Sequence, residues 1–302
     1  MSETKPEPSR VFVHLALLVV QIAFASQAVE GKLAMSPRDV GGEAIAPAAL
    51  AMVRMGGAAL AFLVVTQLFG LRTKTTARDH LVLAGLSVLG ITLNQTLFLI
   101  GLRSTTPLSA SLLSVTIPVF TAALAVVFRV ERPSARHAIG FALALAGVVW
   151  LTGIRSVDKG ALLVSVNSLS YSAYLVLSRA TVVRLGAWTV VTWVFVWGAL
   201  LFVPYGGPIL VHEVPTWTPR GWAFVAWILA MPTITAYLAN AWALGRSSPT
   251  LVTIYIYLQP LIAGALSWVQ LGTPLAPRAV VAAAFIVTGV TIVATRNTRA
   301  RA

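Results

Sequence analysis

Apolar residues occupy long stretches of the chain, and short groups of charged residues, proline or glycine separate these stretches. A helix of about 20 apolar residues is long enough to cross the hydrocarbon core of a bilayer. The pattern therefore predicts an all-α integral membrane protein with ten transmembrane helices. The expected bounds are 11–35, 48–70, 80–102, 106–128, 136–153, 160–182, 187–207, 220–244, 249–271 and 277–295.

The two halves of the chain share a spacing of helix-breaking residues. Pro107, Pro118 and Gly147 in the first half recur as Pro249, Pro260 and Gly289 in the second, all three at one constant offset along the chain. A repeat of five spans is odd in number, which places the second copy upside down in the membrane, as in carriers that work by alternating access. We therefore expect two inverted five-helix repeats, over 11–153 and 160–295, flanked by tails at 1–10 and 296–302.

Basic residues are divided unequally between the two sides of this predicted bundle. Of the 22 lysines and arginines, fourteen fall on the side of the N-terminus, seven fall on the other side, and Arg54 lies inside a span. Cytoplasmic loops are enriched in these residues. We therefore expect both termini in the cytoplasm and the chain in the cell (inner) membrane, as a multi-pass protein.

The composition narrows the classes of chemistry. Hydrophobic residues make up 58% of the chain, charged residues make up 10%, and the mean hydropathy is +0.85. Cysteine is absent and the four histidines are scattered, so we expect no metal and no cofactor. The net charge of +13 is dispersed over helix ends rather than collected on one face, which argues against nucleic acid as a partner.

Glu30 and Arg54 are the ionisable residues that lie furthest inside the apolar stretches. Both fall roughly 7 to 10 Å below the predicted outer surface, at about 1.5 Å per residue of helix. A lone charge at that depth is costly, so pairing or a wet cavity is expected. Two interpretations stay open: Glu30 is a proton-coupling carboxylate, or the two residues form a static ion pair with no role in coupling.

Uncharged polar and aromatic residues also lie within the predicted spans. In hydrocarbon their polar groups need partners, so most of them should face the interior of the bundle. They serve either as solute contacts or as hydrogen bonds between helices, and the sequence does not separate the two. The candidates for solute binding are Gln27, Asn94, Asn167, Tyr171, Tyr174, Trp193, Trp197, Asn240, Tyr255 and Gln259.

Pro118 and Pro260 fall inside predicted spans 4 and 9. Each removes a backbone hydrogen bond and clashes with the preceding turn. Freed carbonyl groups in a membrane helix must be satisfied by protein or by cavity water, so both kinks should line a cavity. The kinks are either moving hinges or static features of packing.

Several segments resemble the repeat of EamA-type transporters of the drug/metabolite transporter superfamily. The first copy is carried by 97–102, 105–113 and 117–124, and the second by 248–250 and 257–261. The resemblance implies ten spans, cytoplasmic termini and a central cavity lined by spans 1 to 4 and 6 to 9. One departure is Gly272-Thr273, where the family usually has Gly-Glu.

We therefore expect a secondary transporter rather than an enzyme. It would export a small organic metabolite, such as an amino acid or a related compound, by alternating access. An uncoupled facilitator is the alternative, and a membrane-embedded lipid-modifying enzyme is the rival from another class, although the spans offer mainly Glu30 for acid–base work. The expected partners are the solute, membrane lipid and, if Glu30 couples, protons.

Overall fold

The computed structural model describes residues 10–104, 110, 113–132, 134–152, 159–271 and 278–294. Within these ranges the chain is helical, with short connections and no strand. The predicted tail 1–10 apart from Arg10, the predicted tail 296–302, most of the segment 105–113 and the Gly272-Thr273 departure lie outside the described residues. The all-helical class predicted from the sequence is confirmed for the described part of the chain.

The helices are numbered here in chain order, and some contain segments of a different helical geometry. The helix α3 runs through the α-helix Ala77–Ser87, the π-helix Val88–Leu93 and the α-helix Asn94–Ser104. The helix α8 runs through Pro219–Leu229, the π-helix Ala230–Thr235 and Ala236–Leu244. The helix α9 runs through Pro249–Ile254, the 3₁₀ segment Tyr255–Leu258 and Gln259–Leu271. The others are α1 Arg10–Met35, α2 Pro47–Leu68, α4 Thr116–Val127, α5 Ala135–Thr152, α6 Lys159–Leu185, α7 Ala187–Glu213 and α10 Arg278–Ala294.

Six of the described helices are long and apolar enough to cross a membrane, namely α1, α2, α3, α7, α8 and α9. Large apolar side chains such as Leu60, Leu81 and Leu200 are exposed. Helices of this length and apolar character, with large apolar side chains on the outer surface, are typical of membrane-spanning segments. The chain is therefore a multi-pass membrane protein, whereas the count of ten spans stays a prediction.

Local sequence signals set several helix starts. Thr76 caps α3, because its hydroxyl accepts a hydrogen bond from the backbone of Asp79 while the Asp79 carboxylate accepts one from the backbone of Thr76. Thr218 and Ser248 cap α8 and α9, and each is followed by a proline at the first helical position. A hydroxyl cap followed by proline is a strong helix start.

The two π-helices lie at matching places in the two halves. Val88–Leu93 in α3 and Ala230–Thr235 in α8 have the same length, and the same offset that relates the prolines also relates their first residues. A π segment widens the helix locally, and such segments are frequent at functional sites. The local irregularity of one half is therefore repeated in the other.

Contacts between helices follow the same relation. The helix α3 packs on α6 as α8 packs on α1, and α4 packs on α6 as α9 packs on α1. Equivalent helices also pack on each other, α2 on α7, α4 on α9 and α5 on α10, and α3 packs on α7 as α8 packs on α2. Exchanging the halves therefore reproduces the contact pattern, and this places α1, α3, α4, α6, α8 and α9 around a shared interface.

Candidate functional site

A cavity lies between the two halves of the bundle. It encloses about 510 Å³ of space free of protein atoms, including its open mouth. Its walls come from α1, α2, α3, α4, α6, α8 and α9, together with the chain just before α4. The lining residues are Phe24, Gln27, Arg54, Asn94, Gln95, Phe98, Ser114, Ile117, Asn167, Tyr171, Tyr237, Ile256 and Gln259.

Asn94 is the centre of a hydrogen-bond chain that crosses the cavity wall. Its amide nitrogen donates to Asn167 Oδ1 at 2.8 Å, and its amide oxygen accepts from the Tyr237 hydroxyl at 2.8 Å. Asn94 is the first residue after one π-helix, and Tyr237 is the second after the other. The two π segments therefore present polar side chains from opposite halves to the same space.

Tyr171 is held by residues that do not line the cavity. Its hydroxyl accepts a hydrogen bond from Asn240 Nδ2 at 2.9 Å, and its ring stacks on Tyr174 with centroids 5.9 Å apart. The Tyr174 ring lies directly against the backbone of Gly90, so closely that an added Cβ at Gly90 would overlap the ring. Of these predicted residues, Tyr171 reaches the cavity, while Asn240 and Tyr174 fix its position.

Arg54 is the buried cation of the cavity, with 1% of its surface exposed. Its Nε donates to Thr233 Oγ1 at 2.8 Å, and its Nη2 donates to Gln27 Oε1 at 3.1 Å. Its Nη1 has no hydrogen-bond partner among the described residues. The guanidinium is therefore fixed on one side by α1 and by the π segment of α8, and is incompletely satisfied on the other.

The ion pair expected between Glu30 and Arg54 is not formed. Ion pairs between described side chains are instead found at Asp79–Arg184 and Glu43–Arg220. Glu30 lies one helical turn beyond Gln27 on α1, and it is Gln27 that contacts the guanidinium. Equal depth in the membrane did not bring the two charges together, because the rotation of each helix about its axis also decides which side chains meet.

Gln259 and Tyr255 join α9 to α1 at two levels. Gln259 Nε2 donates to Gln21 Oε1 at 2.7 Å, and Gln259 lines the cavity. The Tyr255 hydroxyl and His14 Nδ1 are hydrogen-bonded at 2.5 Å, away from the lining residues. Of the two, only Gln259 is placed to contact a solute in this cavity.

Pro118 and Pro260, the two candidate hinge residues, each follow an interruption of the helix. A turn at Val115 precedes α4, three residues before Pro118, and the 3₁₀ segment Tyr255–Leu258 ends two residues before Pro260. Proline disfavours a regular α-helix over the preceding turn, which explains both interruptions. Ile117 and Gln259, the residues immediately before the two prolines, line the cavity.

Trp193 and Trp197 form a separate cluster around His80. The Trp193 ring meets the His80 ring edge to face with centroids 4.4 Å apart, and Trp197 Nε1 donates to His80 Nδ1 at 3.3 Å. Neither tryptophan lines the cavity, whose aromatic lining residues are Phe24, Phe98, Tyr171 and Tyr237. The candidates Trp193 and Trp197 therefore do not reach this cavity, and solute binding by them stays a prediction.

Sequence reasoning missed Tyr237 and Thr233 on α8. Tyr237 lines the cavity, and Thr233 holds Arg54. The repeat offers a signal for the first, since Tyr237 occupies the position in the second half that corresponds to Gln95, which also lines the cavity. No comparable signal marks Thr233, because its role depends on the π geometry of its segment.

Comparison with known proteins agrees with this architecture. The sequence model of the EamA-like transporter family matches the chain twice, over residues 11–153 and 158–295. A solved crystal structure superposes on 95% of this chain and 100% of its own, with a TM-score of 0.72 and 18% sequence identity. That likeness supports the fold.

Two curated relatives carry transporter names. A "probable terminal-alkyne amino-acid exporter" from Streptantibioticus cattleyicolor is 26% identical over 261 residues, which cover 85% of this chain and 87% of the relative. An "uncharacterized transporter" from Archaeoglobus fulgidus is 26% identical over 195 residues, which cover 62% of this chain and 67% of the relative. With both halves matched by one family, the chain belongs to the EamA-like transporter family and is a multi-pass membrane transporter.

Proposed function

We propose that this transporter is a secondary carrier that exports small organic metabolites, such as amino acids or related compounds, by alternating access. The observation that carries the proposal is the polar cavity between the halves, with Asn94 from one and Tyr237 from the other joined across it. Carriers built from inverted repeats bind solute at such an interface. The name of the Streptantibioticus relative supports amino acids and outward transport.

The topology belongs to the same proposal. Ten spans form two inverted units, over 11–153 and 160–295, with both termini in the cytoplasm and the chain in the inner membrane. The exchangeable contact pattern of the helices supports the two-fold relation, and the excess of basic residues on the N-terminal side supports the orientation.

Alternating access would proceed by rocking one half against the other around the cavity. Four hydrogen bonds between side chains tie the halves together there: Asn94 to Tyr237, Asn94 to Asn167, Arg54 to Thr233, and Gln21 to Gln259. Exchanging these bonds for bonds to a solute lowers the barrier to separating the halves. The interruptions before Pro118 and Pro260 supply the points at which α4 and α9 bend.

The transport test uses purified protein in sealed liposomes with radiolabelled amino acids, including L-propargylglycine, a terminal-alkyne amino acid. We expect solute exchange that is faster than in empty liposomes and is accelerated by unlabelled solute on the opposite side. Tyr237→Phe removes the hydroxyl that joins the halves and should slow exchange. Tyr205→Phe, whose side chain is exposed on α7, is the matched control. No exchange of any amino acid would refute the proposal.

Proton coupling at Glu30 is tested in the same liposomes. With a coupled carrier, collapsing the proton gradient abolishes uphill transport, and Glu30→Gln flattens the dependence of transport on pH. A pH profile of Glu30→Gln that matches the wild type, together with transport that ignores the gradient, identifies an uncoupled facilitator.

A further inference from the structure

Arg54 places a positive charge deep in the bundle, and no carboxylate of the described residues forms an ion pair with it. The side chain is 1% exposed and lines the cavity. The ion pairs found between described side chains, Asp79–Arg184 and Glu43–Arg220, do not include it. Buried charges in proteins are almost always paired, because an uncompensated one loses its hydration without replacement. An anion from outside the chain would supply the missing partner.

The hydrogen bonds of the guanidinium leave room for such a partner. A guanidinium has five N–H donors, and the described residues accept two hydrogen bonds from it, through Thr233 Oγ1 and Gln27 Oε1. Both of these acceptors are neutral, so they orient the group without neutralising it. The Nη1 atom has no acceptor in the described part of the chain.

The other lining residues of the cavity indicate which further chemical groups the anionic solute carries. Phe24, Phe98, Ile117 and Ile256 present apolar surface to the same space as Arg54. Both polar atoms of the Gln95 side-chain amide, the donor Nε2 and the acceptor Oε1, also have no hydrogen-bond partner in the described ranges. A solute with a carboxylate, an apolar side chain and an N–H donor complements these three features.

We propose that Arg54 binds the carboxylate of the transported solute and so selects acids over their neutral derivatives. The proposal rests on the transport function proposed above and names the group by which the solute is recognised. Arginine suits this role because its planar fork of donors matches a carboxylate. Gln27 and Thr233 are positioning residues, because their side-chain oxygens accept hydrogen bonds that orient the Arg54 guanidinium.

The test compares amino acids with their carboxamides, which have the same side chain and amine but no negative charge. Purified wild-type protein is heated with L-leucine, L-phenylalanine or L-propargylglycine, and separately with the amide of each. Ligands that bind the folded state raise the melting temperature. We expect at least one acid to do so, and its amide to need at least about tenfold higher concentration for the same shift, as for loss of a hydrogen bond to a charged group.

Variants then assign the preference to Arg54. Arg54→Gln should abolish the preference for the acid, while Arg54→Lys should keep a weaker one because the charge remains. The matched control is Arg179→Gln, which makes the same chemical change at a residue whose Nε donates to the Ser247 carbonyl, outside the cavity. The control should retain the wild-type preference.

Each outcome decides the proposal. Equal shifts by acid and amide in the wild type, no shift by any acid, or an acid preference that survives in Arg54→Gln would overturn it. If Arg54→Gln fails to fold, the wild-type comparison of acid with amide still decides. Liposome exchange with the same panel separates the two proposals: equal movement of acids and amides removes only the carboxylate role, whereas no movement at all removes the transport function.

Discussion

Replacing Gly90 with alanine tests how the cavity wall is supported. Gly90 lies in the π segment of α3, and a Cβ there would meet the Tyr174 ring more closely than real Cβ contacts allow. The contacted atoms include Cγ, at the root of the ring, so the whole ring must move. Tyr174 is 3% exposed and stacks on Tyr171, so that movement is passed to a residue lining the cavity.

The size of the effect follows from a matched pair of variants. Gly85→Ala lies in the same helix, with no neighbouring atom within 4 Å of its added Cβ. Alanine favours a helix over glycine by about 0.5–1 kcal/mol in both variants, so their difference isolates the clash. Overpacking of this kind costs about 1–3 kcal/mol. For a large domain, each kcal/mol of stability shifts the melting temperature by roughly 2–4 °C. With the lower value, the melting temperatures of the two variants should differ by about 2 to 6 °C.

The assay is thermal unfolding of the two purified variants and the wild type in the same detergent. Gly85→Ala should melt at or slightly above the wild type, and Gly90→Ala should melt below it. Gly90→Ala should also bind the transported solute more weakly, because the Tyr171 ring is displaced. Identical melting of the two variants would show that Tyr174 does not press on Gly90, and the support proposed for Tyr171 would be withdrawn.

Three further predictions concern two contacts that join the halves and the interruption within α9. Thr233→Val leaves Arg54 Nε without an acceptor and should destabilise the fold by about 1–3 kcal/mol, whereas Thr233→Ser keeps the hydroxyl; equal melting of the two would contradict the bond. Pro260→Ala restores a backbone donor after the 3₁₀ segment Tyr255–Leu258, so it should raise stability by up to about 3 kcal/mol and slow solute exchange in liposomes. Unchanged amide hydrogen exchange across residues 255–259 would count against a hinge. Glu213→Gln weakens the bond that its carboxylate accepts from the Ala46 amide and should lower stability by about 1 kcal/mol, with wild-type melting as the opposing result.

The hydrophobic pattern was a good guide to the helices and a partial guide to the cavity. Gln27, Asn94, Asn167, Tyr171 and Gln259 were selected as polar groups in apolar stretches, and all five line the cavity. A polar side chain in hydrocarbon must turn toward the interior wherever its helix lies, so burial follows from composition alone. Whether these residues contact the solute stays a prediction, which the liposome and binding tests address.

The errors have a different origin. The depth of Glu30 and Arg54 was read from the rise per residue, but the chain gives no measure of how each helix is turned, and Gln27 took the place of Glu30. The candidates Trp193 and Trp197 do not line the cavity whereas Phe24 and Phe98 do, since an aromatic residue in a span does not reveal which side it faces.

The sequence by itself determined that the chain is helical, lies in a membrane, repeats its helix-breaking residues at a constant offset and belongs with EamA-type transporters. Those properties depend on composition and on spacing along the chain, which local chemistry fixes. Only the tertiary structure decided that Tyr237 meets Asn94 and that Thr233 holds Arg54, across 143 and 179 residues. Contacts at such separations depend on the rotation and packing of whole helices, and the two π segments alter both.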